Sequence, residues 1–319
     1  MSINRKALVV GINYYKEISP LYGCVNDAYS IKSVLDRNSD GTINFSVNLM
    51  VAMGEDSAIS RRQLKDNVQE LFYDDCEVAL FYFAGHGYIE SVGGFLLTSD
   101  CKDGDDGLSL NELLAIVNTS RAKNKIIVLD SCHSGIAGTN ISDNNALLSE
   151  GVTILTASSA KQYATEMNGS GVFTTLFVDA LNGGSSNLVG EITPGSVYAH
   201  IDQSLGPWEQ RPIFKTNVKN FVSLRKVNPP ISLSDLKLLP DLFEEISSQF
   251  QLDPSFEPES EHPFEENTKI FRVLQNYNRV NLVVPIGAEH MYFAAINSKS
   301  CELTPLGMHY WNLVKNERI

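Results

Sequence analysis

Three things are scarce in this chain, and each shortage weighs against a class of function. Basic charge is the first: 25 Lys and Arg stand against 38 Asp and Glu, a net charge of −13 over 319 residues. A stable electrostatic hold on a nucleic-acid backbone is therefore not expected. Cysteine is the second. Cys24, Cys76, Cys101, Cys132 and Cys301 are odd in number, scattered, and never in Cys-x-x-Cys spacing, which argues against a disulfide framework and against a zinc knuckle. Long apolar runs are the third. None approaches the roughly 18 to 20 residues that span a bilayer, and the opening Met-Ser-Ile-Asn-Arg-Lys-Ala-Leu-Val-Val-Gly carries no signal-peptide core. The expectation is a soluble, cytoplasmic protein with reduced thiols and neither nucleic acid nor membrane as partner.

What is present is enough for a sizeable core: 43% of residues are hydrophobic. Strand and helix patterns alternate through the first two thirds, which predicts an α/β fold with a mainly parallel sheet and helices on both faces. Strands are expected at Ala7–Ile12, Phe45–Val51, Val78–Phe83, Lys125–Leu129 and Val152–Thr156, with a short hairpin near Gly93–Thr98. Helices are expected at Asn26–Asp36, Ser60–Asp74 (capped by Ser57 or Ser60), Ser109–Asn118 (with Glu112 in a capping box), Phe173–Leu181 and Val197–Leu205. Val227-Asn-Pro-Pro230 reads as a linker, separating a domain of residues 1–227 from a module of residues 232–319. In that module Asp235–Phe250, Thr268–Val280 and Thr304–Val314 read as helices, Asp253–Glu266 as a mobile stretch, and Leu282–Pro285 with Met291–Ile296 as a small hairpin. The order suggests a winged-helix-like α+β module. With 7 basic and 13 acidic residues, it lacks the basic face that DNA binding needs, and protein contact is the better expectation.

Two short runs carry the chemistry: Phe83-Ala84-Gly85-His86-Gly87 and Leu129-Asp130-Ser131-Cys132-His133-Ser134-Gly135. Each follows an apolar strand pattern and sets a reactive side chain where the strand ends, the edge at which open α/β sheets bind ligands. A thiol is a good nucleophile only as thiolate, and a nearby imidazole supplies the electrostatics and takes the proton. The glycines around His86 let the backbone turn sharply, and the amides of Gly87 and Cys132 are candidate donors to an oxyanion. Taken singly, Cys132 reads as a buried strand-end cysteine and His86 as a turn histidine. Taken together at matching strand ends, they read as a catalytic pair. His133 would point to the opposite face from Cys132.

These runs resemble the caspase-like cysteine peptidases on their metacaspase and paracaspase side. Ala7-Leu-Val-Val-Gly-Ile-Asn13-Tyr, Leu21-Tyr-Gly-Cys24-Val-Asn-Asp27-Ala, Ile154-Leu-Thr-Ala-Ser-Ser-Ala160, Gln162-Tyr-Ala-Thr-Glu166, Gly171-Val-Phe-Thr174 and Ala180-Leu-Asn-Gly183 extend the likeness over about residues 4 to 225. The resemblance implies a cysteine endopeptidase with Cys132 as nucleophile and His86 as base. It also implies an acidic pocket for Arg or Lys before the cut, formed at Cys24, Asp27, Ala84 and Asp130. Ala84 stands where metacaspases usually carry Ser, and Asp27 alone also reads as a helix-start carboxylate. No cofactor is expected. Calcium, common in that family, has one candidate site, the acidic loop of Asp100, Asp103, Asp105 and Asp106, but the family's acid after the nucleophile falls near Thr139. In the family, cleavage of the segment after the nucleophile can activate. Here Ile136 to Gly151 contains no Lys or Arg, so activation is expected to come from a conformational signal or a regulatory protein bound through 232–319. A catalytically silent scaffold on the same fold is the alternative.

Overall fold

The computed structural model describes residues 4–90, 93–131, 147–157, 166–167, 170–206 and 211–319. The chain divides into two compact units, Met1–Ser186 with Glu191–Asn228, and Asn187–Gly190 with Pro229–Ile319.

The first unit is built on a six-stranded sheet. Its strands are β1 (Arg5–Ile12), β2 (Ser46–Ala52), β3 (Val78–Ala84), β4 (Asn124–Asp130), β5 (Val152–Thr156) and β6 (Ile213–Asn217), in the order β6-β5-β4-β3-β1-β2. All pairings are parallel except β6 with β5. β3 is buried at every position, which is why it reads as an unbroken apolar run. Both faces of a parallel sheet are covered by helices. The two-residue alternation survives in the choice of core. Ala79, Phe81 and Phe83 pack with the side chains of α2 (Arg61–Tyr73) and α3 (Leu110–Thr119). Val78, Leu80, Tyr82 and Ala84 pack with those of α1 (Cys24–Asp36), α4 (Val172–Asp179) and α5 (Pro194–Ser204). On β4 the same alternation sends Ile126 and Val128 to the α1 side and Ile127 and Leu129 to the other.

Local chemistry fixes the helix starts. Ser60, rather than Ser57, caps α2, accepting from the Gln63 amide in a capping box. Ser109 caps α3, but by accepting from the Asn111 amide. Glu112 forms no capping box there; it pairs with Arg61 and Lys65 of α2 instead. Among the described residues no helix is long and apolar enough to cross a membrane.

In the second unit, α6 (Leu233–Lys237), α7 (Leu239–Leu242), α8 (Glu265–Arg279), α9 (Met291–Ile296) and α10 (Pro305–Lys315) surround an antiparallel sheet. That sheet has Ser300–Leu303 between Gln249–Gln251 and Val283–Ile286. Three expectations change here. The long helix predicted over Asp235–Phe250 is two short ones, because Pro240 has no amide to continue a ladder and Phe243 turns extended. The stretch predicted as mobile holds a turn at Pro254–Phe256, capped by Asp253, with Phe256 buried. Met291–Ile296, predicted as the second arm of a hairpin, is helical. Its buried residues Met291, Ala294 and Ala295 recur at three- and four-residue spacing, while Tyr292 and Phe293 stay exposed. The strand opposite Val283–Ile286 is therefore Ser300–Leu303, and the chain between them passes through α9.

Candidate active site

β3 and β4 lie side by side, with Ala84 opposite Asp130. His86 is two residues beyond Ala84, and Cys132 is two residues beyond Asp130. Cys132 itself, with its amide, lies outside the described residues. Neighbouring strands sit about 4.8 Å apart. The two adjacent strands thus end at the same level of the sheet edge, with His86 just beyond one of them.

His86 is half-buried and held on several sides. Its amide donates to the Tyr15 phenol oxygen at 2.8 Å, the Tyr15 ring lies 4.7 Å from the imidazole, and its carbonyl accepts the Leu97 amide. Its Nε2 is 2.9 Å from the Ser19 carbonyl oxygen. A carbonyl can only accept, so Nε2 carries the proton, and in the neutral ring Nδ1 keeps the lone pair. Gly85 is required by close approach: a Cβ there would sit 2.8 Å from the Tyr15 hydroxyl and 2.9 Å from the Phe83 ring. Gly87 opens the short strand Gly87–Glu90, which pairs with Gly93–Leu96.

Cys24, Asp27, Ala84 and Asp130 are all buried, and Cys24 and Ala84 belong to the core on the α1 side. Asp27 stands in the first turn of α1, yet its carboxylate is directed across to α4. Both of its oxygens accept the Gly171 amide, at 3.0 and 3.2 Å. Asp130 Oδ2 accepts the Thr174 hydroxyl at 2.6 Å, and Thr174 Oγ1 is 2.5 Å from the Tyr82 hydroxyl. The two carboxylates converge on Gly171, where a Cβ would lie 2.5 Å from Asp130 Oδ2 and 3.2 Å from Asp27 Oδ2. Burial first, and then the charges of Asp130 and Asp27, hold the Tyr82 phenol well above its ordinary pKa, so it serves as a hydroxyl donor.

Two acids of the acidic loop accept hydrogen bonds from the chain around them. Asp100 Oδ1 accepts the Arg61 amide and the Thr98 hydroxyl, and Asp106 Oδ2 accepts the Lys102 amide. Among the described residues no group of three or more His, Cys, Asp or Glu could hold a metal ion. Thr139 lies outside the described residues.

Sequence reasoning did not single out Tyr15, Ser19, Tyr82, Gly171 or Thr174 as members of the site. Gly171 and Thr174 had a signal in the Gly-Val-Phe-Thr run, and Tyr82 had one as the single hydroxyl in an apolar strand. Tyr15 and Ser19 had none, since Ser19 acts through its main chain.

A protein-family model described as the caspase domain matches residues 4–222. The chain is 28% identical over 159 residues to Metacaspase-1 of Meyerozyma guilliermondii, a match that covers 42% of this chain and 36% of that protein. It thus spans little more than a third of that relative. Protein GSU0716 from Geobacter sulfurreducens superposes with a TM-score of 0.51 at 16% identity, over 70% of this chain and all of the other. Caspase-1 from Spodoptera frugiperda gives 0.51 at 13% identity, over 70% and 91%. These two likenesses concern the fold.

Proposed function

Because the chain belongs to the caspase-domain family, we propose that it is a cysteine endopeptidase that cuts protein substrates after Arg or Lys. The observation that supports this reading is the β3–β4 register, which pairs Ala84 with Asp130, the residues two positions before His86 and Cys132 in the sequence. Cys132 attacks the scissile carbonyl after losing its proton to Nδ1 of His86. The bond to the Ser19 carbonyl fixes that tautomer and steadies the imidazolium that forms. His86 then gives the proton to the leaving amine. The amides of Gly87 and Cys132 donate to the oxyanion. Asp27 and Asp130 supply the negative charge that selects a cationic side chain, by charge-assisted bonds stronger than neutral ones. Ala84 contributes no hydroxyl to that pocket.

Activation by a conformational signal is the companion proposal, since an enzyme specific for basic residues finds no site between Ile136 and Gly151. The acidic second unit is the proposed contact for a regulatory protein.

The test is cleavage of matched peptides ending in Arg, Lys or Asp before a fluorogenic leaving group, with and without calcium, beside a Cys132→Ala control. Cleavage after Arg or Lys that disappears in the control supports the reading. Cleavage only after Asp overturns the pocket assignment. Silence in every arm favours the non-catalytic scaffold or an enzyme that needs its partner, and repeating the assay with proteins captured on residues 229–319 of the full chain separates these two.

A further inference from the structure

The hydrogen-bond chain behind Asp130 points to a device for specificity. Tyr82 and Thr174 come from different elements, β3 and α4, and both are buried. Their hydroxyls form one line that ends on a carboxylate oxygen: Tyr82 Oη to Thr174 Oγ1 at 2.5 Å, and Thr174 Oγ1 to Asp130 Oδ2 at 2.6 Å. The order of donation is forced from the far end. A carboxylate oxygen takes the Thr174 proton, so Thr174 Oγ1 must accept from the phenol. A buried hydroxyl with no other role in a core costs stability unless it is bonded, and here two are spent on holding one oxygen of one acid. The last torsion of a carboxylate is broad and two-fold rather than staggered. A donor fixed by α4 on Oδ2 narrows it.

We propose that Thr174, oriented by Tyr82, is a positioning residue for the specificity carboxylate. By pinning Oδ2 it fixes the carboxylate plane of Asp130 and with it the advantage of a guanidinium over a neutral side chain of the same shape. The inference rests on the proposed preference for basic residues and adds which groups outside the pocket set it. Planar, two-pronged recognition of a guanidinium depends strongly on the plane of the acid, and attraction of an ammonium depends on it much less. The loss on removing the hydroxyl therefore falls on Arg first and Lys second, and leaves neutral side chains untouched.

The experiment measures equilibrium binding to full-length protein in a Cys132→Ala background, so that it does not depend on turnover or activation. The probes are three peptides identical except for a last residue of Arg, Lys or the neutral isostere citrulline. Thr174→Val keeps the shape and removes the hydroxyl, Thr174→Ser restores it, and Tyr82→Phe removes the outer link. The expected result is an Arg-over-citrulline preference that falls about tenfold in Thr174→Val, the scale of a lost hydrogen bond to a charged group. Citrulline binding is unchanged, Thr174→Ser recovers the preference, and Tyr82→Phe loses a smaller share. If Thr174→Val weakens all three peptides equally, or if Thr174→Ser fails to recover, the role is packing and the proposal is overturned. If Arg preference is intact in Thr174→Val, the proposal is overturned while the basic-residue reading stands. If the unsubstituted pocket shows no preference for Arg or Lys over citrulline, that reading itself fails and takes this one with it. Melting curves accompany each variant, and should Thr174→Val not fold, the Tyr82→Phe and Thr174→Ser pair decides by the same criteria.

Discussion

His86 is held at the surface, largely by main-chain groups and one phenol, whereas Asp130 is held from the interior by side-chain hydroxyls. Under the proposed function, the difference follows from what each group would do. An imidazole that takes and returns a proton has to stay reachable, so its restraints fix a tautomer and leave Nδ1 to the reaction. A carboxylate that selects a charge has to keep one orientation in a site it shares with a second acid. Buried donors preorganise it at no cost at the moment of binding. The Nε2 anchor of the imidazole is tolerant of side-chain identity, because a carbonyl is supplied by any residue. The Thr174 anchor of the carboxylate depends on one hydroxyl.

The largest effect expected from this contrast concerns the thiols. Burial pushes Cys101 up to about 11 and Cys301 up to about 12, and Cys76 is also raised by burial. All three stay protonated and covered at pH 7.5 and are inert to alkylation. Iodoacetamide on the folded protein is expected to modify Cys132 first and to abolish activity in step with that single adduct. Peptide mass mapping checks this, and early labelling of Cys76, Cys101 or Cys301 would break the contrast.

Next in size is Asp130→Asn. The amide keeps the shape but turns the end of the Tyr82–Thr174 chain into a weaker, neutral acceptor. Removing one partner of a buried charge pair costs about 2 to 5 kcal/mol. Affinity for an Arg peptide should fall about 100-fold or more, with citrulline binding nearly unchanged, as read by calorimetry. Gly171→Ala comes third. A Cβ 2.5 Å from Asp130 Oδ2 cannot be accommodated without moving one of the two, and overpacking of this kind costs about 1 to 3 kcal/mol. The expected outcome is a lower Tm together with a higher KM for Arg substrates, checked by melting curves and steady-state kinetics.

How much of this was legible in the sequence depended on whether side chains or the main chain carried the signal. The expected strands Val78–Phe83 and Lys125–Leu129 match Val78–Ala84 and Asn124–Asp130 to within a residue at each end, because burial on both faces leaves continuous apolar runs. The convergence of Asp27 and Asp130 came through the family resemblance, and the contact of both with Gly171 required the fold, since 144 residues separate Asp27 from its amide donor. Ser60 was legible as a cap because the capping box is local. Glu112 was misread because its partners, Arg61 and Lys65, lie on another helix. In the second unit Met291-Tyr-Phe-Ala-Ala-Ile296 was misread as a strand because six apolar or aromatic residues fit either period. Only packing shows that Met291, Ala294 and Ala295 form the buried face.

The smallest effects test the surface side of the comparison. Tyr15→Phe removes the oxygen that accepts the His86 amide but keeps the ring beside the imidazole. One such bond contributes about 1 kcal/mol, so a loss of about fivefold in kcat with KM unchanged is expected. Ser19→Ala should do less still. The atom that matters is the Ser19 carbonyl oxygen, 2.9 Å from Nε2, and alanine supplies the same one. Turnover within about twofold of the parent is expected, on the scale of an exposed substitution that breaks no bond. A tenfold loss would mean that the Ser19 hydroxyl itself takes part, and that the imidazole, like the carboxylate, is held by a specified side chain.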